Sequence, residues 1–226
     1  MSEKELIDSI KEDPTNTTAH RKLAVLLYVR KHDNTGAEEH FTKAIELAPE
    51  DVSIKLEWAH FLQAYDFKRA EQLIQEAYEL EPGNAEVYCG QACLWYHRER
   101  EITYRSPWFE PDASEVKETR GLYEKAMELD PANARYPHLY SLFEYWISKD
   151  YRSAIELCVK SIELDPSGWH HYSNYAAILR MIRDDLVNDD QGYEKLPFDI
   201  TDEKIQELQE KADELEIKKF GHSCRL

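Results

Sequence analysis

Cys89, Cys93 and His97 stand four residues apart, a spacing that puts two thiols and an imidazole on one face of a helix. Such a trio could bind a transition metal or sense oxidation, so a thiol- or metal-dependent sensor is one reading. Three ligands from a single helix nevertheless lack the returning pair that closes a structural zinc site. Small buried residues at a helix crossing account for them more simply. His170-His171 reads as the edge of a turn rather than a ligand pair. Asp184, Asp185, Asp189 and Asp190 near Gly192 invite a calcium-loop alignment. Placing Gly192 as the loop glycine puts Val187 first and Phe198 where a bidentate acid belongs, so the alignment fails. No glycine-rich phosphate loop, nucleophile motif or spaced carboxylate dyad is visible, and glycine is scarce at 7 residues. The sequence predicts no enzyme, no catalytic residue, no metal and no cofactor.

The elements that carry these residues are marked by Pro14, Pro49, Pro82, Pro131 and Pro166, which follow one another at 35, 33, 49 and 35 residues. Each closes an acidic helical phrase, as in Thr42-Lys43-Ala44-Ile45-Glu46-Leu47-Ala48-Pro49 and Glu124-Lys125-Ala126-Met127-Glu128-Leu129-Asp130-Pro131. Proline cannot continue a helix and pushes the residue before it towards extended geometry. Each second helix repeats a small–large–small pattern: Ala37, Phe41, Ala44; Ala70, Ile74, Ala77; Thr119, Tyr123, Ala126; Ala154, Cys158, Ser161. That spacing lays one apolar stripe on the helix. First helices place Ala24, Ala59, Ala92 and Ala176 three residues before Leu27, Leu62, Trp95 and Leu179, with Leu142 and Tyr145 expected in those roles in the fourth unit. Tyr65-Asp66 and Lys149-Asp150 open the turns between the helices of a unit.

A two-helix period of about 34 residues marks a tandem helical array, and this set of spaced residues resembles the tetratricopeptide repeat (TPR) family. The resemblance spans residues 3–182: a lone second helix at 3–12, four full units, and the first helix of a fifth at 168–182. It implies an all-α, right-handed α-solenoid of tetratricopeptide-type helix hairpins. Residues 1–226 are expected as a single domain, with a 101–116 insertion in the third full unit, an acidic connector over 183–200 and a capping helix over 201–220. Thr201 is the expected N-cap of that helix, and Ile205, Leu208, Ala212, Leu215 and Phe220 its apolar stripe.

The formal net charge is −17. Thirteen acids against three lysines lie between Asp184 and Glu216. A surface of this sign repels nucleic acid and favours a basic partner. No run approaches the roughly 20 apolar residues of a membrane span, so no membrane insertion is expected. The acidic start shows no secretory signal, and four cysteines at uneven spacing read as reduced thiols. The cytoplasm is the expected compartment, with the nucleus open.

The resemblance implies that one stripe of every first helix lines a concave groove. Its candidate protein-binding residues are Arg21, Tyr28, His60, Tyr96, Tyr136, Tyr140, Phe143, Trp146, Asn174 and Arg180. The crowding of Tyr136, Tyr140, Phe143, Tyr145 and Trp146 on one helix is read as a set of anchors for a bound segment. Trp108 and Phe109 in the insertion are candidate anchors of a second kind, gating the groove or docking onto a partner. The family's clamp for chaperone carboxylate tails keeps only Arg21 here. Val25, Glu57, Cys89 and Cys93 stand at its other positions, so that ligand is not expected. The function read from the sequence is a protein–protein interaction adaptor that binds a peptide or protein segment without catalysis. The alternative is a structural subunit that docks through its convex face or the Trp108-Phe109 loop.

Overall fold

The computed structural model describes residues 2–63, 65–105, 110–187 and 200–220, with side-chain surroundings described for 2–63, 65–102, 110–185 and 200–220. Within them the protein is all-α. The helices are α1 Glu3–Glu12, α2 Thr17–Leu26, α3 Asn34–Leu47, α4 Val52–Leu62, α5 Phe67–Leu80, α6 Ala85–Arg105, α7 Ala113–Leu129, α8 Arg135–Phe143, α9 Tyr151–Leu164, α10 Trp169–Val187 and α11 Asp202–Phe220. No helix among the described residues is long and apolar enough to cross a membrane. The chain forms two compact units, Met1–Arg98 and Glu99–Leu226.

The prolines act as the sequence predicts. The residues before them, Asp13, Ala48, Glu81, Asp130 and Asp165, cap α1, α3, α5, α7 and α9 with φ between −134° and −139° and ψ between 72° and 94°. This is the non-helical geometry that a following proline ring enforces. Two residues past four of the prolines, Asn16, Asp51, Asn84 and Asn133 turn a side-chain oxygen to the first backbone N–H groups of the next helix. Stop and start signals thus sit five residues apart or fewer, which leaves no room for anything but a hairpin.

The repeat length is decided at the turn inside each unit. The 33-residue unit passes from α4 to α5 through Tyr65, with Asp66 as N-cap. The two described 35-residue units each add a π-helical turn, Leu27–Lys31 after α2 and Glu144–Ser148 after α8. Each turn ends in one left-handed residue, His32 (φ 54°) and Lys149 (φ 55°). In both, the following N-cap N–H, of Asp33 or Asp150, donates to the carbonyl six residues back, Leu27 or Glu144. Two surplus residues are absorbed without disturbing the helix pair.

In the first unit α2 packs on α3 and α4 on α5. The small–large–small stripes, Ala37, Phe41, Ala44 and Ala70, Ile74, Ala77, are all buried. All but Ala37 meet Ala24, Trp58, Ala59, Leu62 and Leu73 in one core. Leu6 of α1 closes a smaller cluster with Ala19 and Leu23. In the second unit Ala154, Ile155 and Cys158 of α9 pack with Tyr175, Ala176, Ile178, Leu179 and Ile182 of α10, and α11 adds Ile205 and Leu208. The C-terminal helix therefore caps α10. Its stripe runs through Ile205, Leu208, Ala212 and Glu216, and not to Phe220, which is exposed.

Two sequence expectations are corrected here. The fourth unit's close-packing residue is Ser141, ten residues past its proline like Ala24, Ala59, Ala92 and Ala176, and fully buried. Leu142 is half-buried one position later. The insertion of the third unit is also not one long loop. Helix α6 runs on to Arg105 and α7 begins at Ala113, where Asp112 accepts from the N–H groups of Ser114 and Glu115. Most of the extra length lengthens the two helices, and Trp108 and Phe109 lie outside the described residues.

Candidate functional site

The candidate groove residues divide by burial. Counting from the preceding proline, Tyr136 stands at the fifth position, Tyr140 at the ninth and Phe143 at the twelfth. Buried residues hold most of those positions elsewhere: Ala19, Ile54 and Val87 at the fifth, Leu23 and Trp58 at the ninth, and Leu94 and Ile178 at the twelfth, with Gln91, Leu26 and Phe61 half-buried. The three aromatics follow suit, and Phe143 has no exposed surface. Tyr140 stacks on Tyr123 of α7 at 4.9 Å, and Phe143 lies 5.8 Å from the same ring. The aromatic crowding of α8 therefore packs the helix pair, and these side chains are not open anchors. Burial, followed by the neighbouring Glu144 carboxylate, also pushes the Tyr140 hydroxyl well above its ordinary pKa. Tyr96 is likewise buried and sits edge-on to His97.

Asn174 is committed as well. Its side-chain amide donates to Ser141 Oγ at 3.1 Å and approaches Cys158 Sγ at 3.8 Å, tying α10 to α8 and α9. Arg21 faces Glu57 across α2 and α4, with Nε 3.7 Å from Oε2. Partial burial raises the Glu57 carboxyl pKa, and Arg21 counteracts that rise. The arginine that survived from the carboxylate clamp thus already has an internal counter-ion.

The remaining candidates keep accessible surface. Tyr28 is half-buried against Phe61, with ring centres 4.4 Å apart, and His60 is exposed beside Phe61 at 5.7 Å. In the second unit Arg180 is exposed and Trp146 is half-buried. The Trp146 ring lies under the Arg100 guanidinium at 5.0 Å and the Lys149 ammonium at 5.8 Å, with Tyr145 edge-on at 5.0 Å. Both cations are drawn to the negative face of the indole, which fixes its orientation.

Cys89 and Cys93 approach to 4.0 Å between sulfurs and are buried, as is Cys158. Among the described residues no group of three or more histidine, cysteine or acidic side chains is arranged to hold a metal ion. Sequence reasoning missed Glu144. It stands thirteen residues past Pro131, where the other units carry Leu27, Leu62, Trp95 and Leu179, and it is buried against Arg120 of α7. Strict counting from each proline would have exposed the acid in that column.

No protein-family model and no curated protein sequence matches the chain. Solved structures do. Yeast Tom70 aligns with TM-score 0.56 at 17% identity, over 96% of this chain and 43% of that one. Pseudomonas aeruginosa PilF aligns with TM-score 0.52 at 13% identity, over 96% and 82% of the two chains. MamA of Desulfovibrio magneticus RS-1 aligns with TM-score 0.51 at 15% identity, over 90% and 97%. At such identities the likeness is one of fold alone, and it agrees with the proline-marked hairpins in giving the chain an all-α solenoid fold.

Proposed function

We propose that the protein is a non-catalytic adaptor whose first helices hold a segment of another protein. The observation that carries this reading lies in the first unit. There α2 with its π-helical turn, and α4, bury one face yet leave Arg21, Tyr28, Glu57 and His60 half or fully accessible along another. A mixed aromatic and charged surface on rigid helices is suited to a bound chain, since ordered side chains lose little entropy on contact. In the second unit Trp146 and Arg180 are the corresponding accessible residues, while Tyr136, Tyr140, Phe143 and Asn174 support them from within. The net charge of −17 favours a lysine- or arginine-rich segment and speeds its encounter. The Arg21–Glu57 pair argues against a free carboxylate as the recognised group. A cytoplasmic or nuclear setting completes the reading.

The test places a photo-crosslinking amino acid at His60, Tyr28 or Arg180, and at Lys43 or Glu71 on second helices as controls. The proposal expects a basic partner to be captured from the first-helix positions, with capture from Arg180 lost when Trp146→Ala is added. Capture from Lys43 and Glu71 alone would favour docking through the convex face and remove the groove reading.

A further inference from the structure

Gly168 stands two residues past Pro166, where the other described first helices place Asn16, Asp51, Asn84 or Asn133 as a capping side chain. A Cβ at Gly168 would lie 2.5 Å from Asp165 Oδ2 and 2.5 Å from His171 Cδ2. The space a cap would fill is taken by a histidine. His171 itself sits five residues past its proline, at the core position held by Ala19, Ile54, Val87 and Tyr136, and is 1% exposed. Its ring centre lies 5.2 Å from that of His138 on α8 and 3.9 Å from that of His170. The third side of the triangle, His138 to His170, is 5.5 Å. Nδ1 of His138 and Nδ1 of His171 are both buried without a hydrogen-bond partner. A neutral imidazole tolerates such a place, whereas an imidazolium needs an acceptor or water for its second N–H.

The charges facing the cluster are Arg135 on α8, Asp165 at the end of α9 and Lys219 on α11. The Asp165 carboxylate, with Oδ2 3.8 Å from His171 Nε2, stands against three clustered imidazoles. It can offset one added proton but not two.

We propose that this histidine cluster is a proton-operated release of the helix pair α10–α11: neutral rings seat α10, and α11 packed upon it, on the α8–α9 pair, and protonation parts that seam while α8 and α9 keep their own pairing. Burial, followed by the neighbouring imidazoles, lowers the His138 pKa to about 3 and that of His171 to about 4. A histidine lowered in the folded state binds its proton more readily once the seam opens. Its contribution to stability is full above about pH 6.5 and is lost as pH falls from there towards 4. Asp185, which accepts from the hydroxyls of Tyr145 and Tyr151 at 3.0 and 2.9 Å, ties the far end of α10. The end bearing His170 and His171 opens first.

Hydrogen exchange read by mass spectrometry on the full chain tests this, at pH 7.5 and 5.0 with intrinsic rates matched. Protection of α10 and α11 should fall by about tenfold or more per titrating ring relative to α2–α5. The variant His138→Gln with His171→Ile, the residue type of Ile54 at the same position, should abolish the selective fall. If that pair does not fold, His138→Gln alone should remove one ring's share. Histidine ring resonances of the unmodified protein supply the second readout. Uniform loss of protection across all helices, a selective fall that persists in the variants, or ring titrations near pH 6.5 for His138 and His171 would each overturn the proposal.

Discussion

Arg120 grips both carboxylate oxygens of Glu144, Nε to Oε1 at 2.8 Å and Nη2 to Oε2 at 2.7 Å, at a position where the neighbouring repeats carry leucine or tryptophan. Nη2 also reaches Asp150 Oδ2, the N-cap of α9, at 3.5 Å. The hydrogen bond to Glu144 raises the arginine pKa, opposed in part by burial. A repeat column that is apolar elsewhere has become a two-point ionic clasp between α7, the π-helical turn and α9.

Removing one partner of such a clasp should cost more than removing both. Arg120→Ala strands a carboxylate that is 1% exposed, and the expected loss is about 3 kcal/mol. This is the low end of the usual range because the Arg120 side chain is 36% exposed and partly screened. Arg120→Leu with Glu144→Leu restores the apolar column and should recover most of that loss. Urea unfolding of the single and double variants measures both. Equal destabilisation by the two would show that the clasp contributes through its own attraction rather than through the penalty of an unpaired charge.

The left-handed residues that end the two π-helical turns should respond differently to glycine. An L side chain in that region costs about 1 kcal/mol relative to glycine. His32→Gly should therefore raise stability by a large part of that amount, since the His32 side chain is exposed. Lys149→Gly removes a cation lying 5.3 Å from the Tyr145 ring centre and 5.8 Å from that of Trp146. Its gain should be smaller or reversed. Thermal unfolding of the two variants side by side decides the point.

Much of the fold was legible because prolines and alanines act locally. A pre-proline residue has few backbone choices, and an alanine-sized contact permits helices to approach whatever surrounds them, so Ala44, Ala77 and Ala126 could be read without coordinates. The candidate surface was less legible because aromatic side chains serve both cores and grooves. Phe143 and Trp146 lie three residues apart on the same stretch of chain, and packing against rings that include Tyr123 and Tyr140 makes the first interior. Glu144 was obscured for a related reason. An acid in a helix is normally solvated, and its burial depends on Arg120, twenty-four residues earlier in the sequence.

Thiol chemistry provides a further check. Cys89 and Cys158 have no exposed surface and Cys93 is 5% exposed. Burial pushes the Cys158 thiol up to about 12, far from the thiolate form that reacts. In native buffer at neutral pH, a maleimide reagent should leave Cys89, Cys93 and Cys158 unmodified over minutes, and label all three once denaturant is added. Prompt native labelling of Cys89 or Cys93 would reopen the sensor reading that their spacing suggested.

Two glycines at neighbouring register positions of different repeats should respond in opposite ways to alanine. Gly83 follows Pro82, and a Cβ there would meet nothing within 4 Å. Gly83→Ala should be neutral or stabilise by up to about 1 kcal/mol, because the unfolded chain loses freedom while the folded chain gains no clash. Gly168 follows Ser167, and its Cβ would press on the buried His171 ring and the Asp165 carboxylate. The carboxylate is held by the Ser167 hydroxyl at 2.8 Å and backbone N–H at 3.1 Å, so neither neighbour yields freely. Gly168→Ala should destabilise by about 1–3 kcal/mol, as overpacking commonly does. Combining it with His171→Ala should relieve most of the added cost of the Cβ. If Gly168→Ala proves as benign as Gly83→Ala, the histidine does not occupy the space of the missing cap, and the tight seat assigned to His171 fails with it.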